Sequence, residues 1–75
     1  MSNLRHTIAE NLRYFRKARG YTQQDLGAIV DMDSGHISRV ERGVVSIGTD
    51  LIEKISRALK IEPHELLQKR TSKQV

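Results

Sequence analysis

Seventy-five residues without a cysteine make one domain, and folding at this size hides only about 60% of the surface the unfolded chain exposes. With no disulfide and no thiolate metal ligand, stability must come from helix packing or from association with a second copy, which suits a reducing cytosol. Thirteen Lys and Arg against nine Asp and Glu give a net charge of +4 and a pI near 9.9, which favours a polyanionic partner. The absence of a long apolar run, and the polar start Met1-Ser2-Asn3-Leu4-Arg5-His6, argue against a membrane span or an export signal. A soluble cytoplasmic protein is expected.

Apolar residues recur at helical spacing almost throughout, and the chain reads as all-α. Ile8, Leu12 and Phe15 predict a first helix over about 7–19, capped by Thr7 and ended by Gly20. Thr22 caps a second helix over about 22–30, with Asp25 reciprocating in place of the usual Glu and Leu26, Ile29 and Val30 on one face. Asp31-Met32-Asp33 breaks the pattern. Asp33 or Ser34 then caps a third helix over about 33–42, with Ile37 and Val40 inward and Gly43 as its terminator. Ser46 or Thr49 starts a fourth helix over about 49–60, carrying Leu51, Ile52, Ile55, Ala58 and Leu59. Pro63, whose missing N–H is harmless in a first turn, opens a short fifth helix with Leu66 and Leu67. Residues 1–67 read as one domain and 68–75 as a flexible polar tail. Five helices joined by short turns leave no room for a sheet or a deep pocket, and no small-molecule ligand or cofactor is suggested.

The second and third helices are joined by a turn of three or four residues, a spacing that permits a steep crossing when a small residue stands at the contact. Gly27 is placed there, and Asp31 tolerates the positive φ such a turn requires. Leu26, Val30, Met32, Ile37 and Val40 would form the buried wedge. Ser34, Gly35, His36, Ser38 and Arg39 are left outside.

With these features in order, the sequence resembles the Cro/repressor (XRE-type) helix-turn-helix family from Ile8 to Leu67. The landmarks are Leu12-Arg13-Tyr14-Phe15-Arg16-Lys17-Ala18-Arg19-Gly20, Thr22-Gln23-Gln24-Asp25-Leu26, Ile37-Ser38-Arg39-Val40-Glu41-Arg42-Gly43 and Ile55-Ser56-Arg57-Ala58-Leu59. Within that family, Val40-Glu41-Arg42-Gly43, Ser46-Ile47, Ile52-Glu53-Lys54-Ile55 and Ala58-Leu59-Lys60-Ile61 look most like the controller proteins of restriction-modification systems. Two positions depart from the pattern: Gly27 stands where Ala is common, and Asp31 where Gly is common.

The resemblance implies a compact five-helix, lambda-repressor-like domain that binds double-stranded DNA as a homodimer and regulates transcription. Carried over by position, Ser34, Gly35, His36, Ser38 and Arg39 face base edges; Arg39 is the strongest candidate, because a guanidinium donates two bonds to guanine O6 and N7. Gln23, with the backbone amides of its helix N-terminus, would anchor a phosphate, joined by Arg42, Arg13 and Arg5. Arg16 and Glu41 are implied to be a partly buried structural ion pair, while Lys54 and Arg57 read as decoration of a solvated face. Helix four and five carry more apolar surface than one core needs, so Ile47, Leu51, Ile55, Leu66 and Leu67 are assigned to the dimer interface.

Charge refines this assignment. Residues 1–20 hold five basic groups and one acidic, residues 21–43 two and four, and residues 44–75 six and four. The base-reading segment is itself net acidic, so phosphate attraction is expected from its flanks. Two rival classes fit the sequence less well. An antitoxin or phage-type repressor whose main partner is another protein would be favoured by a long partner-binding segment, and the expected tail is short. An enzyme or metal protein would need paired catalytic groups or a ligand cluster, whereas His6, His36 and His64 are scattered without metal-binding spacing.

Overall fold

The computed structural model describes residues 3–70. Five helices follow in order: α1 (Leu4–Ala18), α2 (Gln23–Val30), α3 (Ser34–Glu41), α4 (Thr49–Leu59) and α5 (Pro63–Leu67). No strand occurs among the described residues. α1 lies against α3 and α5, α2 against α3 and α4, and α4 against α5. α1 and α4 therefore form the outer supports between which the α2–α3 unit is held.

α1 starts a turn earlier than its apolar pattern indicates. Asn3, not Thr7, is the cap, its side-chain oxygen accepting from the His6 N–H at 3.2 Å; Leu4, Arg5 and His6 oppose helix formation little, so the earlier cap prevails. The Thr22 cap of α2 is a reciprocal box: Thr22 Oγ1 accepts from the Asp25 N–H and Asp25 Oδ2 accepts from the Thr22 N–H, both at 2.9 Å. The Thr22 backbone amide and, secondarily, its hydroxyl hold the Asp25 carboxyl below its ordinary 3.8, so the box persists above that pH and is lost only as pH falls through the depressed value.

α4 begins without a side-chain cap, Gly48 occupying the cap position, so neither Ser46 nor Thr49 serves as one. It ends one residue early because Lys60 adopts a left-handed conformation (φ 61°). That strained end is secured from another helix: Arg19 Nε donates to the Leu59 carbonyl at 2.7 Å and Nη2 to the Lys60 carbonyl at 3.3 Å.

The core comprises Ile8, Leu12, Leu26, Val30, Ile37, Val40, Ile55, Leu59 and Leu66. Ile29, assigned above to the inner face of α2, is instead 51% exposed. Ile55 and Leu66 have no exposed surface at all, which removes both from the residues assigned to a dimer interface: a side chain spent on its own core has nothing to offer a second copy. Ile47 and Leu51 are half-buried and Leu67 exposed.

Buried Asn11 clamps the C-terminal end of α5, its amide donating to the carbonyls of Leu66 and Gln68, both at 2.8 Å. Of the expected flexible tail, 71–75 lies outside the described residues. The part within them is tethered, with the Arg70 guanidinium 3.7 Å above the Tyr14 ring, a cation–π contact.

One core position is polar without compensation. The Ser56 hydroxyl is buried and lacks a hydrogen-bond partner among the described residues, and an unsatisfied buried hydroxyl costs about 1–3 kcal/mol. Ser56→Ala should therefore raise unfolding free energy in urea by about 1 kcal/mol; a fall of similar size would show that the hydroxyl contributes to stability.

Candidate nucleic-acid interface

The site is built on the turn between α2 and α3. Asp31 ends α2 in a left-handed conformation (φ 60°, ψ 50°), a region Asp enters more readily than branched residues. The reversal brings the Met32 N–H to the Gly27 carbonyl at 2.7 Å. It also presses the Met32 carbonyl against Gly27, where any Cβ would collide with it. Gly27 is thus required by the turn itself rather than by the body of α3, as its spacing had suggested. The two departures from the family pattern form one arrangement, in which a left-handed Asp closes the turn tightly enough that only Gly fits opposite it.

α3 is held from behind by its last residue. Arg16 and Glu41 are both buried, and Arg16 Nε and Nη2 donate to the two carboxylate oxygens of Glu41, the second bond at 3.0 Å. Arg16 Nη1 donates to the Tyr21 carbonyl at 2.8 Å, and Gln23 Nε2 adds a third donor to Glu41 at 3.1 Å. One carboxylate therefore ties α3 to α1 and to the first residue of α2. A bidentate guanidinium–carboxylate pair fixes orientation as well as distance, which sets the angle at which α3 projects.

Inward-facing Ile37 and Val40 seat α3 in the core, leaving Ser34, Gly35, His36 and Ser38 half-buried and Arg39 exposed along its outer side. The candidate phosphate residues gather at the opposite end of the same helix. Gln23 is half-buried at the N-terminus of α2 with one amide hydrogen engaged by Glu41. Arg13 is exposed, with Nη2 donating to the Glu41 backbone carbonyl at 3.3 Å. Arg42 turns back to the Ser38 carbonyl at 3.4 Å. Arg5 lies on the first turn of α1, whose backbone passes over Gly43. The structure thus brings Gln23, Arg13 and Arg42 around the end of α3, with Arg5 nearby.

Several basic side chains do work that the sequence did not show. Arg13 reaches the carbonyl end of α3, Arg19 that of α4 and Lys54 that of α2, the last through Nζ to the Val30 carbonyl at 3.3 Å. Lys54, though exposed, therefore also ties α4 to α2. Cations are favoured at helix C-termini, where the backbone dipoles leave partial negative charge. Carbonyl partners 24 to 40 residues distant leave no local sequence signal. Among the described residues no group of three or more His, Asp or Glu is placed to hold a metal ion, and no helix is long and apolar enough to cross a membrane.

The helix-turn-helix family pattern matches residues 12–66. The chain belongs to that family. A hypothetical transcription factor from Neisseria is 35% identical, and its crystal structure superposes with a TM-score of 0.84, covering 88% of this chain and 76% of that one; the chain spans 61% of the full Neisseria meningitidis protein. The control protein C.BamHI of Bacillus amyloliquefaciens is 34% identical over 88% of this chain and 83% of its own length. The restriction-modification controller protein C.AhdI of Aeromonas hydrophila is 34% identical, with a TM-score of 0.79 over 83% of this chain and 94% of that one. The present helix-turn-helix chain is thus close to both transcription factors and controller proteins.

Removing Arg16 from this arrangement leaves a buried carboxylate with only the Gln23 amide facing it. Arg16→Ala should cost about 3–5 kcal/mol in urea unfolding, and pairing it with Glu41→Leu should recover much of the loss. If Arg16→Ala costs less than about 1 kcal/mol, the pair does not hold α3.

Proposed function

We propose that this protein is a sequence-specific DNA-binding transcriptional regulator that acts in the cytoplasm as a homodimer on a near-palindromic operator and catalyses no reaction. The observation that carries the reading is the position of α3: locked from behind by Arg16, Glu41 and Gln23, with its outer side turned to solvent. An α-helix presented in this way fits the major groove of duplex DNA, where each base pair shows a distinct pattern of donors and acceptors. Arg39 is the base reader, assisted by Ser34, His36 and Ser38, while Gly35 permits close approach. Gln23, Arg13, Arg42 and Arg5 contact phosphates. Likeness to the control protein C.BamHI and to C.AhdI supports the finer reading, a controller of a restriction-modification system.

The dimer rests on Ile47, Leu51 and Leu67, three of the apolar side chains around α4 and α5 that the monomer core leaves partly open. A twofold axis there would set two α3 helices about 34 Å apart, one turn of DNA. Sedimentation of a Leu51→Glu, Leu67→Glu variant should show monomer with native helix content; a persistent dimer would place the interface elsewhere.

Selection of bound duplexes from a random pool should enrich two half-sites in a near-palindrome, with affinity falling steeply as salt rises. Arg39→Ala should relax preference at one position per half-site at a cost of about 1–3 kcal/mol, whereas Gln23→Ala should weaken all duplexes alike. If the unaltered protein enriches no sequence, the reading fails.

A further inference from the structure

Asp33 occupies the cap position of α3, yet its side chain makes no capping hydrogen bond. Only its backbone serves the helix, the carbonyl accepting from the His36 N–H at 3.0 Å and the Ile37 N–H at 3.2 Å, which any residue could do. The exposed carboxylate goes elsewhere. Asp33 Oδ2 lies 3.6 Å, and Arg39 Nη1 lies 3.7 Å, from the point where a Gly35 side chain would begin. Helical side chains lean toward the N-terminus. The Arg39 guanidinium accordingly lies back along the helix, bordering Gly35 on the side facing Asp33. A donor group and an acceptor group border one notch on the outer side of α3.

Resting on the DNA-binding reading above, we propose that Asp33 is a second specificity-determining residue, which accepts a hydrogen bond from cytosine N4 beside the guanine that Arg39 reads. The chemistry is complementary: guanine offers acceptors at O6 and N7 to the guanidinium, and cytosine offers its N4 amino group to a carboxylate. Gly35 is part of the device, because a side chain there would fill the notch that the base edges enter. Set against guanine O6 and N7 or thymine O4, which are acceptors, the carboxylate meets lone pairs and no donor, and this repulsive element sharpens discrimination.

The test repeats the random-pool selection with the unaltered chain and with Asp33→Ala and Asp33→Asn, and measures affinity for the enriched duplex and for a scrambled duplex. Asp33 makes no cap bond, so both variants should keep native helix content and melting behaviour. Asp33→Ala should lower the preference for cytosine at one position by roughly tenfold, the scale of one base contact, while tightening binding to scrambled duplex. Asp33→Asn, which points amide hydrogens at the same place, should shift the preference away from cytosine. Asp33→Ala combined with Arg39→Ala should lose less discrimination than the product of the single losses, because the two read adjoining groups. If the unaltered chain enriches a site but Asp33→Ala strengthens or weakens all duplexes equally with every base preference intact, Asp33 is only a charge and the proposal falls alone. If the unaltered chain enriches nothing, the proposal falls together with the regulator reading.

Discussion

The fold depends on one buried carboxylate. Glu41, the last residue of α3, receives two bonds from Arg16 on α1 and one from Gln23 on α2. Three helices that share only a small core are thereby brought into one angular relation. A core of nine apolar side chains can be packed in more than one way at modest cost, since hydrophobic contact has no direction. A bidentate ion pair has direction. Buried pairs of this kind contribute little net stability compared with apolar replacements of the same volume; the contribution here is to orientation. Because Gln23 is both a donor to Glu41 and the candidate phosphate anchor, the anchor and the reading helix are coupled through that single group.

The α2–α3 turn makes the same point at the level of the backbone. Asp31 in a left-handed conformation, the Met32 N–H bonded to the Gly27 carbonyl, and the Met32 carbonyl seated where Gly27 lacks a Cβ are one solution to the geometry of a short reversal. Together they fix the start of α3, and with it the relation between Asp33, Gly35 and Arg39.

Much of this was legible in the sequence because it is local. The Thr22–Asp25 box, the positive φ of Asp31, the terminators Gly20 and Gly43, and Pro63 at the start of α5 are set by residues within a few positions of one another. What escaped was set at a distance. Asn11 bonds carbonyls 55 and 57 residues away, and Arg19 and Lys54 close the ends of helices remote in the chain; residue type alone does not announce such partners. The α4 stripe indicates an inward face but not how deeply each member is buried. Ile55 and Leu66 are core, while Ile29, with an equally apolar side chain, is left outside. Asp33 or Ser34 is the expected cap because both residue types commonly cap; Asp33 holds the position, but its carboxylate makes no capping bond.

Electrostatically the molecule separates two tasks. In the proposed reading, basic residues on α1 and at the end of α3 would supply attraction to phosphate, part of their charge already offset at helix C-termini, and the outer side of α3 would supply choice. The central claim is that this side enters the groove. It is tested most directly by titrating the 15N-labelled protein with its enriched duplex and mapping amide shifts and intermolecular contacts. The account predicts that they concentrate on Asp33 to Arg39 and on the N-terminal residues of α2. Concentration instead on the outer face of α1, around Arg13, Tyr14, Lys17 and Arg70, with α3 unperturbed, would contradict it.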